Sequence, residues 1–271
     1  MLADYTSSDI PPLNMRVTYN SAADILCSLW FISDRQTGCE LKDLDIGDDW
    51  LAEMEDDLSE ETLSSLAEIG SGDAWVALLP LLADLSSGGT IEGFIDYLEE
   101  MDPADLRVTL MKVHDKFPRV DQELVADAAE GDFEAVEQLL AIPELDDGEM
   151  KRWRDALRFL LLKDPKEMQE YLVGIVRATY NDAFQEREKE FRPYLEADYR
   201  TKRSMARRVS PERLLDIATS GIQISDSRAY RPIVLVPTMV ARPWVVFAQG
   251  PDSFVIGYPV SDETLNPDPD A

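Results

Sequence analysis

Between Pro165 and Val209 apolar positions return at close to helical spacing: Met168, Leu172, Ile175, Thr179, Ala183, then Phe191, Tyr194 or Leu195, and Met205. Asp164 is placed to cap this run, with Pro165 at the first helical position and Glu167 beside it. At about 1.5 Å per residue the rod would extend for roughly 60 Å. Only Pro193 interrupts it, and a kink or break is expected there. A helix of that length gains little unless its apolar face is packed, so it reads as a spine for packing or dimerisation.

Shorter elements precede it. Met15–Tyr19 alternates and is β-branched, which predicts a short strand. Asn20 or Ser21 then caps a helix over residues 22–32, apolar on most sides and expected to be buried, with Trp30 and Phe31 in the core. Modest helices follow over Asp48–Leu58, Ser59–Ile69, Asp73–Leu85, Thr90–Met101 and Pro103–Lys116. Gly131-Asp132 separates a pair, Asp121–Glu130 and Phe133–Ala141. The string across that pair resembles part of an ankyrin unit, but no copy recurs at a fixed period, so it reads as a plain helical hairpin. Asp146–Leu162 is the last helix before the spine.

Beyond the spine the pattern changes period. Ser210-Pro211-Glu212 opens a short helix that Gly221 closes. Strands are predicted at Ile222–Ser225, Pro232–Val240, Trp244–Ala248 and Ser253–Val260, the last two forming a hairpin around Gln249-Gly250-Pro251-Asp252. Prolines 232, 237, 243 and 259 point to short or edge strands. The fold class is therefore mostly α (α+β): a helical domain around one long helix, with a small C-terminal antiparallel sheet that can include the N-terminal strand. The expected divisions are a flexible arm (1–14), a helical sensing and association domain (15–209), a β-rich segment (210–260) and an acidic linker tail (261–271).

Charge sharpens this picture. Residues 1–150 hold 36 Asp and Glu against 7 Lys and Arg, and the whole chain carries a net −28. The acidic half repels DNA; a chain adapted to a salty cytoplasm has the same composition. The basic cluster Arg200, Lys202, Arg203, Arg207 and Arg208 lacks interleaved aromatics and sits where a helix end favours cations, so pairing with the acidic half is expected. The stretch 1–13 has no secretory or presequence character, no run of about 18 apolar residues exists, and only Cys27 and Cys39 are present. A cytoplasmic protein with no membrane span follows as the expectation.

Candidate chemistry is sparse. His114 is the sole histidine, which removes most general-base and triad schemes. The two cysteines lack zinc-site spacing, Asp45, Asp48 and Asp49 miss the calcium-loop pattern, and phosphate-binding and nucleophile-elbow motifs are absent. With 54 acids, carboxylate pairs at enzymatic spacing arise by chance. The expectation is a protein that is not an enzyme and needs no cofactor or metal. The softer lead is aromatic: Trp153, Tyr180, Phe184 and Trp244 could converge on an apolar ligand pocket, with Tyr230, Phe247 and Tyr258 in the same portion. For any single one of them a core with bulky residues is the favoured reading.

The stretch RPIVLVPTMVARPWVVFAQGPDSFVIGYPVSDE resembles the segment preceding the winged helix in ArsR-like transcriptional regulators that have a long N-terminal region. RVTYNSAADILCSLWFISD is similar to how that region begins, with a strand followed by a helix. The resemblance implies a cytoplasmic regulator whose N-terminal region senses a ligand, such as a small-molecule effector, or mediates association, while DNA is bound through a C-terminal winged helix; the long helix read above would then carry a homodimer. No helix-turn-helix follows the matching segment before Ala271, so the expectation is a sensing and dimerisation region, either a truncated form or a natural protein without its DNA reader. A helical partner-binding scaffold, or an enzyme using acidic residues, are the alternatives.

Overall fold

The computed structural model describes residues 13–39, 43–85, 88–111, 121–141, 148–224, 231–250 and 253–267. His114 and Tyr230, singled out above, lie outside the described residues. The protein is mostly helical with one small sheet. In chain order it runs β1 (Met15–Val17), α1 (Ala22–Gln36), α2 (Asp48–Asp57), α3 (Glu60–Ile69), α4 (Asp73–Val76) and a 3-10 turn at Leu79–Ala83. Then come α5 (Ile91–Glu100), α6 (Pro103–Met111), α7 (Gln122–Glu130), α8 (Phe133–Leu140) and α9 (Gly148–Leu161). The long helix is α10 (Pro165–Thr179), a π-helical turn (Tyr180–Phe184) and α11 (Gln185–Met205). The chain closes with α12 (Pro211–Thr219), β2 (Ile233–Thr238), β3 (Val246–Gln249), β4 (Phe254–Pro259) and α13 (Asp262–Leu265).

Side-chain caps set many of these boundaries. Ser59, Thr90, Asp121, Asp132, Asp164 and Ser210 each accept a backbone N–H from the first turn of the helix they precede. The helix expected over Asp73–Leu85 splits into α4 and the 3-10 turn, because Pro80 cannot continue an α-helical ladder. In the helical body α1 is buried along almost its whole length, and α10 packs against α1, α3, α5 and α6.

The long helix departs from expectation in one place. Pro193 does not break it: α11 runs unbroken from Gln185 to Met205. Pro193 faces solvent, so water can take up the Lys189 carbonyl that loses its N–H partner. A break in α-helical geometry lies earlier, at Tyr180–Phe184, where the turn is π-helical.

The sheet has the order β1-β2-β4-β3 and is mixed. The expected hairpin β3–β4 is antiparallel and the N-terminal strand joins, but β1 and β2, and β2 and β4, are parallel. Ile222–Ile224, expected to be extended and paired, form no strand. Both faces of the sheet are covered. Val234, Val236, Val246, Ala248 and Val255 face the helical body, while Ile233, Leu235, Phe254, Ile256 and Tyr258 pack with Leu214, Leu215 and Ala218 of α12. Coverage on both faces is what makes the strands β2 and β4 read as nearly continuous apolar runs. Among the described residues, no single helix is long and apolar enough to cross a membrane.

Candidate functional site

An open groove of about 850 Å³ lies where the long helix, α12 and the chain leaving β4 meet. One wall is α11, with Ala197, Thr201, Lys202 and Met205; another is α12, with Ile217 and Ala218. The turn Arg242-Pro243 and the segment Pro259–Thr264 complete it.

Asp198 holds this corner together. It is fully buried, and its Oδ1 accepts three bonds of 3.1 Å each: from Lys202 Nζ, the Ser261 backbone N–H and the Thr264 hydroxyl. Lys202 sits one turn further along α11, with its side chain only 5% exposed and its ammonium 5.9 Å from the centre of the Tyr258 ring. Burial, then the charge of Asp198, pushes the Tyr258 hydroxyl well above the ordinary tyrosine pKa. The ion pair survives burial because the carboxylate has further donors beyond the ammonium. Its consequence is mechanical: the first residues after β4 are tied to the long helix.

Arg242 is the second fixed charge. Its Nη2 holds Asp262 Oδ1 at 2.7 Å and Asp45 Oδ2 at 3.0 Å. The arginine side chain is 12% exposed, whereas that of Asp262 is 84% exposed. The backbone carbonyl of Arg242 also accepts the Asp45 N–H at 2.9 Å. A rigid guanidinium therefore meets a carboxylate carried on a four-residue helical turn.

A second polar cluster surrounds the π turn. The Tyr180 hydroxyl lies 2.6 Å from Glu92 Oε1 and 3.2 Å from Glu188 Oε2. Glu188 Oε1 accepts from Ser21 Oγ at 2.6 Å and from Arg192 Nη2 at 2.8 Å. Burial and its two carboxylate neighbours raise the Tyr180 pKa. Burial acts to raise the Glu92 pKa, but the bonds from Tyr180 and its own helix start outweigh it, and the net shift is downward. Glu188 Oε1 thus has two donors, while Oε2 shares the single Tyr180 hydroxyl proton with Glu92, and the cluster binds elements to one another. It joins the long helix to the N-terminal ends of α1 and α5, where the helix dipoles favour negative charge.

A third buried acid lies at the sheet. Asp24 of α1 accepts the Met239 and Val240 backbone N–H groups at 2.9 and 3.1 Å on Oδ1, capping the end of β2. Burial pushes its carboxyl up to about 6, against the lowering effect of the Thr238 hydroxyl and those two amides. Cys27, one turn on, has its thiol pushed up by burial and by Asp24; the chemistry of this pair is that of a closed core.

The aromatic residues named as a candidate pocket are dispersed. Trp153 and Phe184 are fully buried, Tyr180 nearly so, and Trp244 is 52% exposed on the turn before β3. None of the four lines the groove. Phe184 packs edge-on against Phe191, as a core residue does. The basic cluster also behaves differently from expectation. Arg200 pairs with Glu196 and Lys202 with Asp198, each within the same helix, because carboxylates stand four residues earlier. The acidic half is met instead by Arg158 at Glu137, Arg177 at Glu99 and Arg187 at Asp57. Asp198 and Arg242 were not singled out from sequence. The Asp198–Lys202 spacing was visible, but its burial depends on a sheet that assembles only in three dimensions.

Among the described residues, no group of three or more His, Cys, Asp or Glu side chains could hold a metal ion. No family model, curated protein or solved structure matches this chain.

Proposed function

We propose that the chain acts as the sensing and association region of a cytoplasmic ArsR-like transcription regulator, a group in which a winged helix reads DNA. The groove carries this reading. A small molecule seated there touches the long helix, α12 and the segment leaving β4 at once, so occupancy alters how that segment is held. In this reading the chain catalyses nothing and needs no cofactor. Association uses the solvent face of α11, where Glu186, Lys189, Tyr194 and Arg200 are exposed, which makes the homodimer contact polar and salt-sensitive.

The test is a thermal-shift panel of anionic, neutral and cationic small molecules on the full chain, repeated on Ala197→Trp. Ala197 lines the groove and faces solvent, so tryptophan fills the site without disturbing the core. At least one compound is expected to raise Tm in the parent and not in the variant. A panel without hits, or hits indifferent to the substitution, overturns the sensing role. Sedimentation showing only monomer at micromolar concentration overturns the association.

A partner-binding scaffold is the second reading. It is favoured by Trp244 and Phe247, both partly exposed beside the edge strand β3, where Phe247 stacks on Phe254 with ring centres 5.9 Å apart.

A further inference from the structure

We propose that the groove takes an amphipathic organic anion, an apolar body bearing one carboxylate or phosphate, and that its acid group replaces Asp262 on Arg242. This rests on the groove reading above and names its ligand class. Three observations converge on it. The groove offers apolar surface from Met205, Ile217, Ala218, Pro243, Pro259 and Val260, enough for a small hydrophobic body. Its fixed charge is the Arg242 guanidinium, held by its own backbone and by Asp45, whereas Lys202 is committed to a fully buried carboxylate. Among the described residues the carboxylates on that guanidinium both sit on Nη2, and a guanidinium presents five donors in a planar fork suited to a bidentate acid.

Asp262 is the element that yields. Its side chain is almost wholly in water, so its bond to Arg242 contributes little. It acts as a resident stand-in for the ligand's acid group. An incoming anion brings apolar burial that Asp262 lacks, and this difference decides the exchange. When Asp262 leaves Arg242, α13 keeps its ties to Asp198, through Ser261 and Thr264, and the packing of Leu265 on the core. The ligand thereby removes one of the polar fastenings on the segment that follows β4.

The probe is 8-anilinonaphthalene-1-sulfonate, an amphipathic anion whose emission rises in apolar sites, competed with octanoate and with octanol on the full chain. Octanoate displaces the probe and octanol does not. Asp262→Asn removes the competing charge and tightens octanoate binding about two- to fivefold, the size of an exposed ion pair. Arg242→Gln weakens it about tenfold or more, with folding checked by circular dichroism. Because Asp262 is exposed, the asparagine variant folds as the parent does and decides the matter even if Arg242→Gln does not fold. Octanol competing as well as octanoate, or Asp262→Asn binding octanoate no more tightly, overturns the proposal. A neutral or cationic compound whose binding is blocked by Ala197→Trp would sink the anion assignment while leaving the sensing role intact.

Discussion

Tyr180 and Glu188 stand eight residues apart on one helix, yet the tyrosine hydroxyl reaches Glu188 Oε2 at 3.2 Å. In a regular α-helix, residues eight apart diverge by about 80° around the axis, given 3.6 residues per turn. The π turn at Tyr180–Phe184 accommodates one additional residue, so the pair behaves as though about seven apart, within roughly 20° of the same face. Phe184, at the end of that turn, has φ −104°, well away from the helical norm, and absorbs the adjustment. The irregular turn thus aligns the two halves of the long helix on the acid cluster that joins α1 and α5.

Tyr180→Phe removes the one hydroxyl that both Glu92 and Glu188 approach. The expected loss is about 1–3 kcal/mol in urea unfolding, the cost of leaving the buried Glu188 short of a partner. The Glu92 pKa, held down in part by this hydroxyl, should rise in the variant when followed by NMR. An unchanged Glu92 titration would mean that the hydroxyl serves Glu188 alone.

Asp24 gives the protein a pH response opposite in sign to that of an ordinary ion-paired carboxylate. Its pKa is raised to about 6 in the folded chain, while an unfolded Asp titrates near 3.9. Between these values the folded state holds the proton that the unfolded state has lost. Asp24 therefore favours folding at the acid end of that window, and the advantage disappears as pH rises through about 6, a change of order 3 kcal/mol. Asp24→Asn keeps an oxygen for the Met239 and Val240 amides and removes the charge. The stability of the variant relative to the parent should improve by up to about that amount from pH 4 to pH 8, measured by urea unfolding at both values. A constant difference across the window would show that the carboxyl is not protonated there.

What the sequence disclosed, and what it hid, follows the range of the interactions concerned. Asp164-Pro165, Ser210-Pro211 and Thr90 announce their helices because a cap acts within a few residues. The hairpin β3–β4 is equally local. The parallel pairing of β2 with β4 is not, because β3 lies between them in sequence and outside them in space. The nearly continuous apolar runs of those two strands did carry a signal of two-sided burial, and the prolines around them pointed the other way, toward edges. Asp198 and Lys202 look like any exposed four-residue ion pair along a charged helix. Their burial arises from the end of β4 and from α13, which reach α11 only after the whole chain has folded. The groove was illegible for the same reason: its walls come from four separate stretches.

Removing one member of the Asp198–Lys202 pair should cost more than removing both. Asp198→Ala leaves a buried ammonium without its acid and releases the Ser261 and Thr264 donors, with an expected loss of about 3–5 kcal/mol. Lys202→Met together with Asp198→Ala restores an uncharged site and should recover part of that loss. Amide exchange at residues 261–265 should accelerate in both, since Asp198 fastens that segment whatever happens to Lys202. If exchange there is unchanged in Asp198→Ala, the segment is held by other contacts and its coupling to the long helix is lost as an idea.

Two glycines separate packing from backbone freedom. A Cβ on Gly72 would fall 1.9 Å from Trp30 Cδ1 and 2.5 Å from the Trp30 carbonyl oxygen. The ring could swing aside, but the carbonyl belongs to α1 and cannot. The Gly72 N–H also donates to Asp34 Oδ1 at 3.1 Å, the same carboxylate that accepts from the Trp30 indole at 3.0 Å, so displacement would undo both bonds. Gly72→Ala should therefore destabilise by about 2–4 kcal/mol in urea unfolding. Gly174, in the middle of α10, meets nothing within 4 Å, and an alanine there should stabilise by about 0.5–1 kcal/mol through helix propensity alone. Equal effects from the two substitutions would mean that α4 does not approach α1 this closely in solution.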